Sequence, residues 1–260
     1  MTTPRVFTLT TFLLATTSLF AQQYKNLTSV ATFKVAPGKT DAFVERGKAF
    51  GPLLDKLVDS GVVLAYGVDV DILHVPGGSN IAFWVDVPDF AALAKEEAAI
   101  QEFLKANPAM MQDLAGMSDM SAHRDFIVRA WEENHRAAPA GATPIEDFDM
   151  VDVKPERMRE FLELFRKYDK PVLDQLVADG VIYGYLLGTE AVHTMKPGFV
   201  WQVTTMPDLG AKDKVRAAFS EAMKKLPDAE REMLDRMFYE MVDYSTHRDD
   251  LAVSVVFRQK

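Results

Sequence analysis

The chain of 260 residues contains no cysteine. That excludes a disulfide framework, a thiolate nucleophile, cysteine-ligated zinc and iron–sulfur clusters. It also excludes a bacterial lipoprotein anchor, which needs a cysteine at its cleavage point. Basic charge is short as well: 29 Lys and Arg stand against 38 Asp and Glu, a formal charge of −9. Nucleic-acid binders carry a basic face, so no nucleic-acid partner is expected. There is no glycine-rich phosphate loop, no Gly-x-Ser-x-Gly elbow and no His-Glu-x-x-His zinc pair. Their absence argues against nucleotide-dependent chemistry and the corresponding hydrolases, and no metal site is expected. With 48% hydrophobic and 26% charged residues, the rest reads as an ordinary globular chain.

Residues 1–21 differ in character from the rest of the chain. Arg5 is their only charge, Val6–Phe20 is apolar or hydroxylated, and a small residue, Ala21, closes the run. This pattern predicts a secretory signal peptide, 1–21, and an exported protein, periplasmic or secreted. The run is too short and too rich in Thr for a span of about 20 apolar residues. No later stretch would cross a bilayer, so no membrane span is expected after leader removal.

The remainder is a duplication. Pro52–Tyr66 (PLLDKLVDSGVVLAY) matches Pro171–Tyr185 (PVLDQLVADGVIYGY) at eight of fifteen positions. Met117–Asp125 (MSDMSAHRD) matches Met241–Asp249 (MVDYSTHRD) at six of nine. Between them His74 aligns with His193, Trp84 with Trp201, and Val87–Asp89 with Met206–Asp208, in constant order. The expected organisation is a first repeat over 22–136, a linker over 137–143 rich in small residues and proline, and a second repeat over 144–260.

Each repeat reads as β-α-β-β-α-β. In the first, Leu27–Val35 is β-rich, and 39–59 carries apolar residues at helical spacing. Gly51-Pro52 predicts a kink within that helix and Gly61 its end. Val62–His74 and Ile81–Val87 flank the turn Pro76–Asn80 as a hairpin. Pro88–Met120 is helical with a break near Asn107-Pro108, and Asp125–Trp131 is the last strand. The second repeat predicts strands at 145–153, 181–193, 199–205 and 250–257, a helix at 156–179 and helices up to Tyr244. This order is the ferredoxin-like arrangement, whose helices cover one sheet face only. The other face needs a partner. The expectation is therefore an α+β fold in which two ferredoxin-like repeats pack sheet to sheet as an intrachain pseudo-dimeric α+β barrel. Tyr66, Val68, Val70 and Ile72, with Tyr183, Tyr185 and Leu187, are the parity expected at that contact.

This pattern resembles the dimeric α+β-barrel superfamily in tandem form. The superfamily includes antibiotic-biosynthesis-type monooxygenases, stress-responsive barrel proteins, haem-degrading enzymes and chlorite-dismutase relatives. The resemblance covers the whole mature chain in topology but carries no catalytic signature. It implies a monomeric pseudo-dimer or a homo-oligomer, and it admits haem, although no cofactor is required by the sequence.

Five groups of residues are candidates for chemistry. His74 and His193 end the long second strands, where an imidazole can ligate a metal or haem or take a proton. The commoner role there is one backbone hydrogen bond. The Ser-x-His-Arg-Asp elements (Ser121, His123, Arg124, Asp125; Ser245, His247, Arg248, Asp249) precede the last strands. His123 and His247 are the catalytic candidates, since haem-degrading barrels take their ligand His from a comparable region. A structural connector would be retained through duplication equally well. Trp84 and Trp201 could line a flat-ligand pocket, with His74 and His193 as further ligand-binding residues. Asp69 and Asp71 read as solvated edge-strand charges. Met residues clustered at 110–120 and 233–241 read as core.

Two functions fit. One is an exported soluble protein binding a small apolar ligand or a partner. The other is a barrel-type monooxygenase or haem-linked oxidoreductase using the duplicated histidines. An inward-facing His beside an enclosed pocket separates them.

Overall fold

The computed structural model describes residues 25–73, 78–192, 194 and 197–259. The expected signal peptide, 1–21, and His74 and His193 lie outside the described residues. The first half contains β1 (Leu27–Phe33), α1 (Thr40–Gly47), α2 (Gly51–Ser60), β2 (Ala65–Asp71), β3 (Ile81–Val87), α3 (Phe90–Ala106), α4 (Pro108–Met117) and β4 (Arg124–His135). The second contains β5 (Ile145–Val153), α5 (Met158–Leu164), α6 (Lys170–Ala178), β6 (Gly184–Glu190), β7 (Phe199–Met206), α7 (Gly210–Lys224), α8 (Asp228–Met241) and β8 (Val242–Gln259). Among the described residues no helix is long and apolar enough to cross a membrane.

Local chemistry sets these boundaries. Gly61 takes φ 77° and Gly180 φ 73°, a left-handed turn that a side chain would strain. At both places the amide just after the glycine reaches back: Val62 N–H to the Leu57 carbonyl at 3.0 Å, and Val181 N–H to the Leu176 carbonyl at 2.9 Å. This closure satisfies the last helical carbonyls. It also explains why β2 starts later than Val62, because the amides of Val62 and Val63 are committed to the helix end and Leu64 is the first to donate across to Asp86 of β3. Pro52 and Pro171 begin α2 and α6, where a missing N–H is harmless. The junction before each differs, being a 3₁₀ turn at Lys48–Phe50 and a π turn at Phe165–Asp169. Asp89 caps α3 by accepting from the Ala92 N–H at 2.8 Å. Asn107 separates α3 from α4 as the sequence predicts.

All eight strands join in one closed antiparallel barrel, in the order β1-β3-β2-β8-β5-β7-β6-β4. Each half contributes its strands as fourth-first-third-second. The halves join at two seams, β2 with β8 and β4 with β6. The two sheets therefore meet edge to edge around a shared interior, with hydrogen-bonded seams, rather than stacking as separate layers. β8 extends over Val242–Gln259, well beyond the expected 250–257, because it pairs with β5 along one part and β2 along another.

At Tyr66, Val68 and Leu187 the face expected at the contact between halves is in fact the helix-covered one, while Tyr183 and Tyr185 also reach the cavity wall. Tyr66 packs with Leu54 and Val58 of α2, and Val68 with Phe43 and Val44 of α1. Tyr66 donates its hydroxyl to Asp55 at 2.8 Å, and Tyr185 does the same to Asp174 at 2.8 Å. Tyrosines at this parity satisfy their hydroxyls on helix carboxylates, and the alternate residues turn inward. Among those is Asp69, which is 3% exposed. A closed barrel has no edge strand, so the reading of Asp69 as a solvated edge charge fails.

Candidate functional site

The barrel encloses a cavity of about 260 Å³. Its walls are aromatic, with Trp84 from β3, Phe126 from β4, Phe148 from β5, Trp201 from β7 and Phe257 from β8. Trp201 stacks on Phe126 (5.4 Å between centroids, 11° between planes) and meets Phe199 edge-on at 4.6 Å. Trp84 meets Phe257 edge-on at 5.9 Å. These offset and edge-on pairs are the favourable aromatic geometries. Gly67 pairs with Trp84 across β2 and β3. A Cβ on Gly67 would lie 2.5 Å from the indole ring, so only glycine leaves room for it.

The wall carries four carboxyls: Asp69 on β2, Asp86 on β3, Glu133 on β4 and Glu146 on β5. Among the described residues no Lys or Arg lines the cavity, and the one histidine that does, His135, is exposed. Asp69 accepts from the Ser254 hydroxyl and the Trp84 side chain. Asp86 accepts from the Thr28 hydroxyl at 2.6 Å, and Glu133 from the Asn26 amide at 2.6 Å. Glu146 accepts from the Thr205 hydroxyl at 2.9 Å through Oε2, while its Oε1 is buried without a partner. The Asn26 Oδ1 is likewise buried and unpartnered.

Loss of water raises the pKa of each carboxyl; His135 and Lys25 partly offset this at Glu133, and no basic group does so at Asp69, Asp86 or Glu146. Burial pushes Asp69 up to about 6, against the lowering pull of its two hydrogen bonds. Burial pushes Asp86 up to about 7, with the charge of Glu133 adding to it. Glu146 is raised well above the usual carboxylate range by burial, then by Asp69. Acids of this kind hold a proton near neutrality and can hand it over, which is what general acid–base work needs.

Of the residues expected from sequence, Trp84 and Trp201 line the cavity, whereas His123 and His247 do not. His123 donates from Nδ1 to the Thr32 carbonyl at 2.9 Å, places Nε2 3.2 Å from Asp125, and stacks on Phe33 at 4.4 Å. His247 stacks on Tyr244 at 5.2 Å, with Nε2 3.1 Å from Asp149 and 3.6 Å from Asp249. Asp149, His247 and Asp249 bring one donor atom each within 4.8 Å of one another. The first half has no such trio, since Ala31 faces Asp125 where Asp149 faces Asp249. Just before each His, an aspartate accepts from a serine amide: Asp119 from Ser121 at 3.1 Å and Asp243 from Ser245 at 3.2 Å. The duplicated element thus makes the same aspartate–serine bond in both halves, at a 3₁₀ turn (Met120–Ala122) in the first and within β8, beside a register shift against β5, in the second. Arg124 crosses from β4 to the other half, pairing with Glu190 and donating to Thr194 at 3.0 Å.

Asp86, Glu133, Glu146, Asn26 and His135 were not anticipated from sequence. A signal for Asp86 was present: it follows Ala82 and Trp84 at alternate positions of one strand and so shares their face.

Haem does not suit the residues around this cavity. Two propionates would need basic partners, and the lining offers carboxyls instead. Among the described residues no buried His enters it as an axial ligand.

The eight-stranded closure with both halves in one chain is the fold of the dimeric α+β barrels. No protein-family profile and no curated protein matches the chain. Solved structures do. A candidate monooxygenase of Fusobacterium nucleatum superposes with a TM-score of 0.64 at 13% identity, covering 91% of this chain and 95% of the other. A candidate monooxygenase of Lactobacillus acidophilus gives 0.59 at 11%, covering 90% and 96%. An anthrone oxidase-like protein gives 0.51 at 13%, covering 92% and 94%.

Proposed function

We propose that the protein binds one small planar aromatic molecule inside its barrel. The observation that carries this reading is the enclosed cavity walled by Trp84, Trp201, Phe126 and Phe257, with two buried acceptors, Glu146 Oε1 and Asn26 Oδ1, left unpartnered. Buried polar atoms are rarely left so, and a ligand donor would satisfy them. In this reading Trp84 and Trp201 contact the ligand. His123 and His247 serve the strand ends, as their backbone, carboxylate and ring contacts suggest. The barrel is completed within one chain and needs no second copy to enclose the ligand.

Titration with neutral 2-naphthylmethanol tests this by quenching of tryptophan fluorescence. Saturable one-to-one quenching is expected, and its loss in Ala82→Phe, which fills the cavity. A linear, unsaturable response, or equal binding by the variant, rejects the reading.

A second reading, oxygenation of the bound aromatic, is favoured by Asp86, whose buried carboxyl titrates at about 7 in the cavity wall. The names of the two monooxygenase-type neighbours agree with it. Its test is oxygen uptake with a dihydroxynaphthalene, which Asp86→Asn should abolish. Export is part of the proposal through the leader at 1–21, and N-terminal sequencing of protein recovered outside the cytoplasm checks it.

A further inference from the structure

We infer that the cavity selects cationic aromatics, an aryl-alkyl ammonium or amidinium, with the ligand nitrogen donating to Glu146 Oε1. This rests on the reading that an aromatic ligand occupies the barrel, and adds its charge.

The polar inventory of the wall is one-sided. Glu146 and Asp69 are each 3% exposed, and both face the interior. Glu146 feels the charges of Asp69 and Asp86, so the three carboxyls form one electrostatic group. Several buried or half-buried acids outside the cavity have basic partners: Glu190 has Arg124, Glu132 has Arg166 and Asp147 has Lys212, although Glu96 on α3 has none. In the cavity Glu133 has His135 and Lys25 nearby, whereas among the described residues Asp69, Asp86 and Glu146 have no basic partner. Their raised pKa values agree with a missing countercharge, since burial is the first cause at each and no basic group offsets it at Asp69, Asp86 or Glu146.

A ligand cation supplies what the wall lacks. An N–H donor satisfies Glu146 Oε1, and the charge offsets the mutual repulsion of the acids. The faces of Trp84 and Trp201 attract a cation through their quadrupoles. A neutral aryl alcohol can donate a hydrogen bond to Oε1 but brings no charge to offset the acids. A carboxylated arene adds a further negative group to Asp69, Asp86 and Glu146, beside which no basic group stands among the described residues. Selectivity by charge follows from the wall composition, while affinity for a flat ring follows from the aromatic walls.

The test is a matched series on the full mature protein at about pH 8: 2-naphthylmethylammonium, 2-naphthylmethanol and 2-naphthoate. Wild type is expected to bind the ammonium about tenfold tighter than the alcohol, and the carboxylate weakest. Glu146→Gln should bring the ammonium to within about threefold of the alcohol, with a wild-type tryptophan emission spectrum as evidence of an intact fold. If Glu146→Gln loses alcohol binding, Asp69→Asn makes the same comparison. Equal binding of ammonium and alcohol by wild type overturns charge selection and leaves the aromatic cavity standing. Preference for the carboxylate does the same. If none of the three binds, the cavity reading itself falls.

Discussion

Replacing Asp86 by Asn should change stability in a pH-dependent way whose sign the structure fixes. The side chain faces the cavity and accepts from Thr28 at 2.6 Å, a bond the amide oxygen of Asn preserves. In the folded protein burial, then the charge of Glu133, pushes Asp86 from 3.8 up to about 7. Its folded pKa thus lies above its unfolded one. Below about pH 4 both states are protonated and the contribution of Asp86 is fully present. As pH rises towards 7 the unfolded state sheds its proton first, and stability is lost until the folded carboxyl also ionises. A gap of about 3 pH units at about 1.4 kcal/mol each gives an upper bound near 4 kcal/mol, less whatever water inside the cavity screens. Asn carries no such penalty. Urea unfolding followed by tryptophan fluorescence at about pH 4, 6 and 8 should show Asp86→Asn gaining on wild type with pH, by up to about 4 kcal/mol. A difference that stays flat across the range, or runs the other way, refutes the claim that Asp86 sits in a water-poor interior.

Three further perturbations follow from the packing. Gly67→Ala places a methyl 2.5 Å from the Trp84 indole, so it should cost about 1–3 kcal/mol in denaturant stability and weaken 2-naphthylmethanol binding as the ring is displaced. Arg124→Ala leaves Glu190, 3% exposed, without its guanidinium at the β4–β6 seam. Thermal and urea unfolding should show a loss of about 3 kcal/mol, and an unchanged midpoint would mean the pair contributes nothing to closure. The double variant His123→Asn, His247→Asn should keep its affinity for the naphthyl probes within about twofold, because neither ring lines the cavity; a tenfold loss would return both to the binding site.

Most of the architecture was legible because it depends on local signals and on repetition. The helix ends at Gly61 and Asn107 and the strands Ile81–Val87 and Ile145–Val153 fall where glycine, proline and β-branched residues put them. The need for a second sheet followed from one-sided helix cover. Which parity faces inward was not legible. Tyr66, Val68 and Val70 are as apolar as a barrel interior would require, and only the helix carboxylates Asp55 and Asp174 reveal that this face looks outward. The error carried through to the site. Asp69 looked like a solvent charge because its strand looked like an edge, and edge status depends on pairing with β8, nearly 190 residues away. Glu146 and Asp86 are unremarkable in an acidic chain until closure puts them in one small volume. The histidines drew notice by surviving duplication, yet what survived is a local hydrogen-bonded element leading into each final strand pairing, with Asp119 and Asp243 holding the same serine amides. The tryptophans were legible for a simpler reason, since each stands mid-strand where a large ring must be sheltered.

The central claim is that the ligand site lies inside the barrel. A crystal soaked with 6-bromo-2-naphthylmethylammonium tests it most directly, through the anomalous signal of bromine. The account predicts one bromine peak within the eight-stranded wall, in contact with Trp84 or Trp201, with the nitrogen at Glu146. A peak under the helices near His123 or His247, or an empty barrel at saturating probe, would contradict it.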